Sequence, residues 1–307
     1  MTRDTARVPV LVNVAGGTAR RLGGRLRHDV EAAFEEAGVP IALELLAGAA
    51  IAGRAAALVG APVVVVGGHD GTLGGAAGAL AGTPTALGIL ALGTRNHLAL
   101  ELGVPRDLLA AARLIGERPA RTIDLGRVNG RAFVNNASIG LYPALVRGRD
   151  GIAAPKWLAA LPAALGALRR MRHHRLRLVL PGDSRPIVTP LLFVGNNRYS
   201  LDPGSVGRRS ALDDGRLSIY AVASRRRLAL AGFAMRAVLG RADRERDFAA
   251  IGDHAAFAAE GRSRHIDVAL DGEVVRLAMP LRFESRARAL TVVAPTSRSL
   301  ERGGPFH

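Results

Sequence analysis

The chain has 307 residues, no cysteine, 49% hydrophobic and 22% charged residues, and a net charge of +16. That length and apolar content suit two folded domains, each with a buried core, and argue against a disordered chain. The missing cysteines exclude disulfides and thiolate metal sites, which suits a reducing cytoplasm.

Lys156 is the single lysine among 42 basic residues, so 41 are arginine. The arginine excess has two open readings, GC-rich coding or attraction to an anionic partner. Aromatic residues make up 4% of the chain, too few for stacking platforms, and no helix-turn-helix or finger spacing occurs. Nucleic acid is therefore disfavoured against an acidic membrane surface. No apolar run approaches the roughly 20 residues that span a bilayer. Residues 1–14 lack a signal-peptide core, so the expected location is cytoplasmic, with peripheral membrane association.

Hydrophobic patterning predicts a strand at 8–14, a helix at 25–37, a strand at 39–46 and a helix at 49–59. A strand at 62–66, a helix at 73–80, a strand at 86–90 and a helix at 107–117 follow. Val63, Val64, Val65 and Val66 form an unbroken apolar run, as in a parallel strand buried on both faces. Residues 1–121 thus read as an α/β doubly wound domain with its ligand at the carboxyl ends of the strands.

After Arg121 the pattern changes. Runs at 122–128 and 131–139 flank Asn129-Gly130, a hairpin signal. Further strands are expected at 176–180, 187–196, 217–222, 265–270, 273–279 and 290–293, with Asp271-Gly272 as another tight turn. Residues 122–307 read as a second, mostly antiparallel β domain with helical insertions at 155–173 and 225–247. Each insertion mixes apolar residues with arginine. Packing against the β domain and docking on an anionic bilayer both fit that pattern.

The most informative segment is Gly67-Gly68-His69-Asp70-Gly71-Thr72. A strand drops into a glycine-rich loop, and a helix begins at once. Such a junction brings backbone N–H groups and the positive helix end to an anion. An ordinary tight turn has the same composition, but Asp70 and Thr72 add a carboxylate and a hydroxyl at its mouth. Farther on, Asp271 and Glu273 flank a turn glycine at a spacing of two, which would set both side chains on one strand face. A solvated hairpin turn is the plainer reading of those two residues.

These segments resemble, in order, the motifs of the diacylglycerol kinase catalytic family, which includes bacterial lipid kinases and sphingosine kinases. Gly67 to Thr72 is similar to its GGGDGT, and Leu92-Gly93-Thr94-Arg95-Asn96-His97 to its LGTxND. Asn135-Asn136-Ala137-Ser138-Ile139-Gly140 is similar to NNxSIG, Leu212-Asp213-Asp214-Gly215-Arg216-Leu217 to DDGxLD, and Leu270-Asp271-Gly272-Glu273 to DGE.

The resemblance implies an α/β nucleotide-binding domain followed by a β-sandwich lipid domain. It implies transfer of a phosphoryl group from ATP to a lipid hydroxyl with Mg²⁺. Nucleotide binding would fall to Asn13, Gly67, Gly68, His69, Asp70, Gly71, Thr72 and Thr94. The general base would be Glu273, with Asp271 as the next candidate, and Mg²⁺ would be held by Asp214 with the carbonyls of Ala211 and Arg216. The implied partners are a lipid substrate and an anionic membrane surface; a homodimer is left open.

Four positions depart from the family pattern. His69 stands at the third glycine, Gly74 at an asparagine and His97 at an aspartate. Glu44, Leu45 and Leu46 stand where bacterial relatives carry a threonine. The alternatives are an NAD kinase-like enzyme, which shares the glycine-rich loop, and a non-catalytic nucleotide- or lipid-binding protein of the same fold.

Overall fold

A computed structural model describes residues 7–15, 17–93, 96–140, 173–199, 209, 211–222 and 248–295. The chain divides into two compact units. The first holds the chain up to Leu125, residues 132–134 and the chain from Ala287 onward; the second holds residues 126–131 and 135–286.

Most of the first unit alternates strand and helix: β1 (Val8–Asn13), α1 (Gly17–Leu22), a 3-10 turn (Gly23–Arg25), α2 (Leu26–Glu36), β2 (Ile41–Leu46), α3 (Gly48–Ala57), β3 (Val63–Gly67), α4 (Asp70–Leu80), β4 (Ala86–Leu90), α5 (His97–Glu101) and α6 (Leu108–Glu117). The strands that follow are β5 (Ala120–Val128), β6 (Arg131–Phe133), β7 (Asn136–Gly140), β8 (His174–Leu180), β9 (Asp183–Thr189), β10 (Leu191–Asn196), β11 (Leu217–Val222), β12 (Phe248–His254), β13 (Ala256–Gly261), β14 (His265–Leu270), β15 (Glu273–Ala278) and β16 (Leu281–Val293).

In the first unit a parallel sheet runs β2-β1-β3-β4. All four valines of β3 are buried, as the apolar run requires. Val10, Val12 and Val65 pack with Leu26, Val30 and Phe34 of α2 and with Ala112 and Ile115 of α6. The alternate strand residues Leu11, Val64 and Val66 face the other way and are equally buried. The second helix pair, α3 and α4, packs together through small residues, so close that a Cβ on Gly75 would lie 3.5 Å from that of Ala52.

The last part of β16 joins this sheet, with Val292 beside Leu87 in parallel register. Gly82 N–H donates to Ala289 O at 2.7 Å, Ala294 N–H to Pro119 O at 3.0 Å, and Arg288 N–H to the buried Asp124 carboxylate at 2.8 Å. The sequence reading assigned everything from 122 onward to the second domain. The structure instead returns the chain from Ala287 to the first unit, because the free edge of β4 takes a further parallel strand.

The second unit is sheet-rich. One six-stranded antiparallel sheet runs β12-β11-β10-β7-β14-β15. The early part of β16 begins a second antiparallel run through β13 and β8 to β9. The expected strand at 187–196 is divided at Pro190, which has no N–H to donate to a ladder. Among the described residues no helix is long and apolar enough to cross a membrane. The expected helical insertions at 155–173 and 225–247 lie outside the described residues, His173 excepted, as does Thr94.

Candidate active site

The glycine-rich segment is built differently from the expected loop followed by a helix at 73–80. The helix α4 begins at Asp70, so Asp70, Gly71 and Thr72 form its first turn and His69 is its N-cap. The N–H groups of a first helical turn have no carbonyl within the helix to bond. Here His69 Nδ1 accepts the Thr72 N–H at 3.4 Å, and its Nε2 lies 3.3 Å from Thr72 Oγ1. Asn13, at the carboxyl end of β1, donates from Nδ2 to the same Oγ1 at 2.9 Å and accepts the Ala15 N–H at 3.0 Å. Asn13, Thr72 and His69 are thus one hydrogen-bonded group at the positive end of α4.

The glycines of this group have steric reasons. A Cβ on Gly68 would lie 2.8 Å from Thr72 Cβ, and one on Gly67 would lie 2.8 Å from a Leu92 methyl. A Cβ on Gly93 would meet Asn96 Oδ1 at 2.5 Å and the His69 Cα at 2.8 Å. The first two motifs of the resemblance therefore lie against each other with no room for side chains between them.

Asp70 is not aimed at the mouth of the loop. Its carboxylate accepts the His97 N–H at 3.0 Å and the Leu98 N–H at 3.2 Å. It caps α5, whose own N-cap residue Asn96 is left-handed at φ 46° and supplies no side-chain cap. Asp70 thereby fixes the position of the second motif relative to the first. Glu44, where relatives carry threonine, is spent on a bidentate pair with Arg54 at 2.7–3.0 Å. That pair raises the Arg54 pKa, first through the hydrogen bond and then through charge attraction.

The second unit gathers the remaining motifs. Asp271 is a turn residue with φ 48°, and Gly272 follows at φ 91°, the two positive values of a tight hairpin turn. Its Oδ1 accepts the N–H groups of Asn135 and Asn136 at 2.8 and 3.1 Å, while its own N–H donates to Asn136 O at 3.0 Å. Glu273 opens β15 opposite Leu270 and is exposed. Asp271 and Glu273 therefore do not share a strand face. Asp271 sits in the turn and pins the Asn135-Asn136 segment, whereas Glu273 stands on the strand.

Asn135 is the hub of this network. Its Oδ1 accepts from Arg209 at 3.0 Å, and its carbonyl accepts from Tyr199 Oη at 3.0 Å and from Asn196 N–H at 2.9 Å. Arg209 and Tyr199 belong to no motif, and nothing in the sequence singles them out.

Asp214 organises the neighbouring turn. Its Oδ1 accepts from Asn197 Nδ2 at 2.8 Å and from Arg216 N–H at 3.2 Å, and its Oδ2 accepts from Arg198 N–H at 3.3 Å. The Arg216 carbonyl accepts the Asn197 N–H at 2.8 Å. A carboxylate offers about four lone-pair positions, and three meet donors here. Among the described residues no group of three His, Asp or Glu could hold a metal. Of the expected Mg²⁺ set of Asp214, Ala211 and Arg216, the Asp214 carboxylate and the Arg216 carbonyl both accept hydrogen bonds within this turn.

Residues 7–128 match the family model of the diacylglycerol kinase catalytic domain. A protein of Chromohalobacter salexigens named "Probable lipid kinase YegS-like" is 29% identical over 142 residues, 46% of each chain. A diacylglycerol kinase of Bacillus subtilis is 47% identical over 55 residues, 18% of each chain. These alignments span less than half of either relative's length. The fold is similar to that of a solved diacylglycerol kinase of Bacillus anthracis (TM-score 0.64, 21% identity, 95% of this chain and 97% of that one). The matched segment contains Asn13, the loop from Gly67 to Thr72, and Asn96. Over residues 7–128 the chain is thus similar to the diacylglycerol kinase catalytic domain, and to proteins named as lipid and diacylglycerol kinases.

Proposed function

We propose that the chain is a lipid kinase that transfers the terminal phosphoryl group of ATP, taken as its magnesium complex, to a hydroxyl of a diacylglycerol-like lipid. The hydroxyl oxygen bonds to the γ-phosphorus, the bond to the bridging oxygen breaks, and ADP leaves. The hydroxyl proton goes to Glu273. Phosphoryl transfer asks little covalent help of a protein beyond placement and charge stabilisation.

The observation that carries this reading is the junction at the start of α4. Asn13, His69 and Thr72 converge on the positive end of that helix, and Asp70 ties the second motif to it, all within the matched segment. The net charge of +16 supports peripheral work on an anionic leaflet, where each basic group near the surface contributes about 1 kcal/mol.

The second reading, a nucleotide- or lipid-binding protein without turnover, draws on His69 occupying the Thr72 N–H. Purified protein with γ-labelled ATP and a panel of dispersed diacylglycerols, sphingoid lipids and NAD distinguishes them. Label in a lipid product supports the kinase, label in NADP supports an NAD kinase, and nucleotide binding without label transfer supports the second reading.

A further inference from the structure

We propose that His69 is a proton-operated gate on the phosphate-binding end of α4, an inference that rests on the lipid kinase reading and adds a regulation to its nucleotide site.

With Nδ1 accepting the Thr72 N–H, the ring takes up a donor that a glycine at this position would leave to an incoming phosphate. That assignment of the ring requires a neutral imidazole, because an imidazolium has two donors and no acceptor. Beside the ring stands a group with the opposite need. Asn96 is 2% exposed, and among the described residues its Oδ1 has no hydrogen-bond partner. Both Asn96 Oδ1 and His69 Cβ lie within 3 Å of the point that a Cβ on Gly93 would occupy, at 2.5 and 2.9 Å.

The two states follow from donor and acceptor accounting. The neutral ring holds the Thr72 N–H and leaves the Asn96 oxygen without a donor. The charged ring releases the Thr72 N–H to a phosphate oxygen, turns an N–H toward Asn96 Oδ1, and adds a positive charge at the helix N-terminus, where an anion binds best.

Histidine is the side chain that ordinarily changes charge between about pH 5 and 8. The titratable and charged groups on α4 and on α5 beside it are Asp70, engaged with the α5 N–H groups, and His97. Asn13 and Thr72 are neutral. Acidification thus strengthens phosphate binding through His69 itself.

The test is ADP binding by calorimetry at about pH 6 and about pH 8, at constant ionic strength. It compares the unaltered protein with His69→Asn, which keeps a cap acceptor but does not titrate, with His69→Gly, and with Asn96→Gly, which suits the left-handed backbone. Titration of ADP itself is common to all four. The gate predicts that the ratio of affinity at low to high pH is about fivefold larger in the unaltered protein than in His69→Asn or His69→Gly. In Asn96→Gly the excess shrinks. Equal ratios in the unaltered protein and His69→Asn overturn the gate and leave the kinase reading standing. No ADP binding by any of the four at either pH overturns both.

Discussion

The carboxylate of Asp70 receives the backbone N–H of His97 at 3.0 Å across 27 residues of sequence. It adds the Leu98 N–H at 3.2 Å, so the acid of the glycine-rich segment satisfies the first N–H groups of a different helix. A five-residue helix such as α5 does not hold itself together in water. Its place beside the loop depends on this carboxylate.

Asp70→Ala therefore acts first on structure. Loss of a buried cap of this kind costs about 1–2 kcal/mol, and the amide hydrogens of His97 and Leu98 lose protection from exchange. Denaturant unfolding and hydrogen exchange measure the two effects. Unchanged protection at both amides would show that the cap does not hold α5.

Gly68→Ala and Gly93→Ala test the close packing of the loop against its neighbours. The added methyl would sit 2.8 Å from Thr72 Cβ in the first, and 2.5 Å from Asn96 Oδ1 in the second. Each forces a shift in the Asn13–Thr72–His69 group. Overpacking of this sort typically costs about 1–3 kcal/mol, and a loss of nucleotide affinity should accompany it. Gly24→Ala, where nothing lies within 4 Å of the added carbon, serves as the control and should fall within about 0.5 kcal/mol of the unaltered protein.

Asp271 is bonded into the turn, whereas Glu273 is the proposed base. Asp271→Ala removes an acceptor for two N–H groups and leaves a methyl-bearing residue at φ 48°, a left-handed conformation that costs roughly 1–2 kcal/mol. It should lower the unfolding free energy by about 2–3 kcal/mol. Glu273→Gln, at an exposed strand start, should leave it within about 0.5 kcal/mol. Equal losses of stability in the two variants would put both residues in the turn scaffold.

Asp214 gives a direct check on the cation question. As an acceptor for Asn197, Arg198 and Arg216 it stabilises the turn without metal. The melting temperature of the protein free of nucleotide should be the same with and without a chelator, and Asp214→Ala should lower it. A chelator-induced drop, reversed by Mg²⁺ and absent in Asp214→Ala, would restore the cation site.

The sheet of the first unit was legible because Val63 to Val66 can only be buried on both faces, and Asn13 and Gly67 fall at strand ends. The tight turns at Asn129-Gly130 and Asp271-Gly272 were legible because their positive φ values favour these residue types. Strands β12 and β13 were missed: Phe248-Ala249-Ala250-Ile251-Gly252 and Ala256-Phe257-Ala258-Ala259 carry little β-branched signal, and their pairing with β11, β8 and β16 decides the structure. The motifs single out segments, but the partners of their side chains lie far off in sequence. Nothing local says that Asp70 would cap residues 97 and 98, or that Arg209 and Tyr199 would converge on Asn135.

The measurement closest to the central claim is a single-turnover experiment with γ-labelled MgATP and a short-chain diacylglycerol, run in parallel on the unaltered protein and Glu273→Gln. The account predicts labelled lipid phosphate from the unaltered protein. It predicts a rate about 10²–10⁴-fold lower from the variant, with ATP affinity unchanged. ATP binding without any labelled lipid from the unaltered protein, or equal rates from the two proteins, would contradict it.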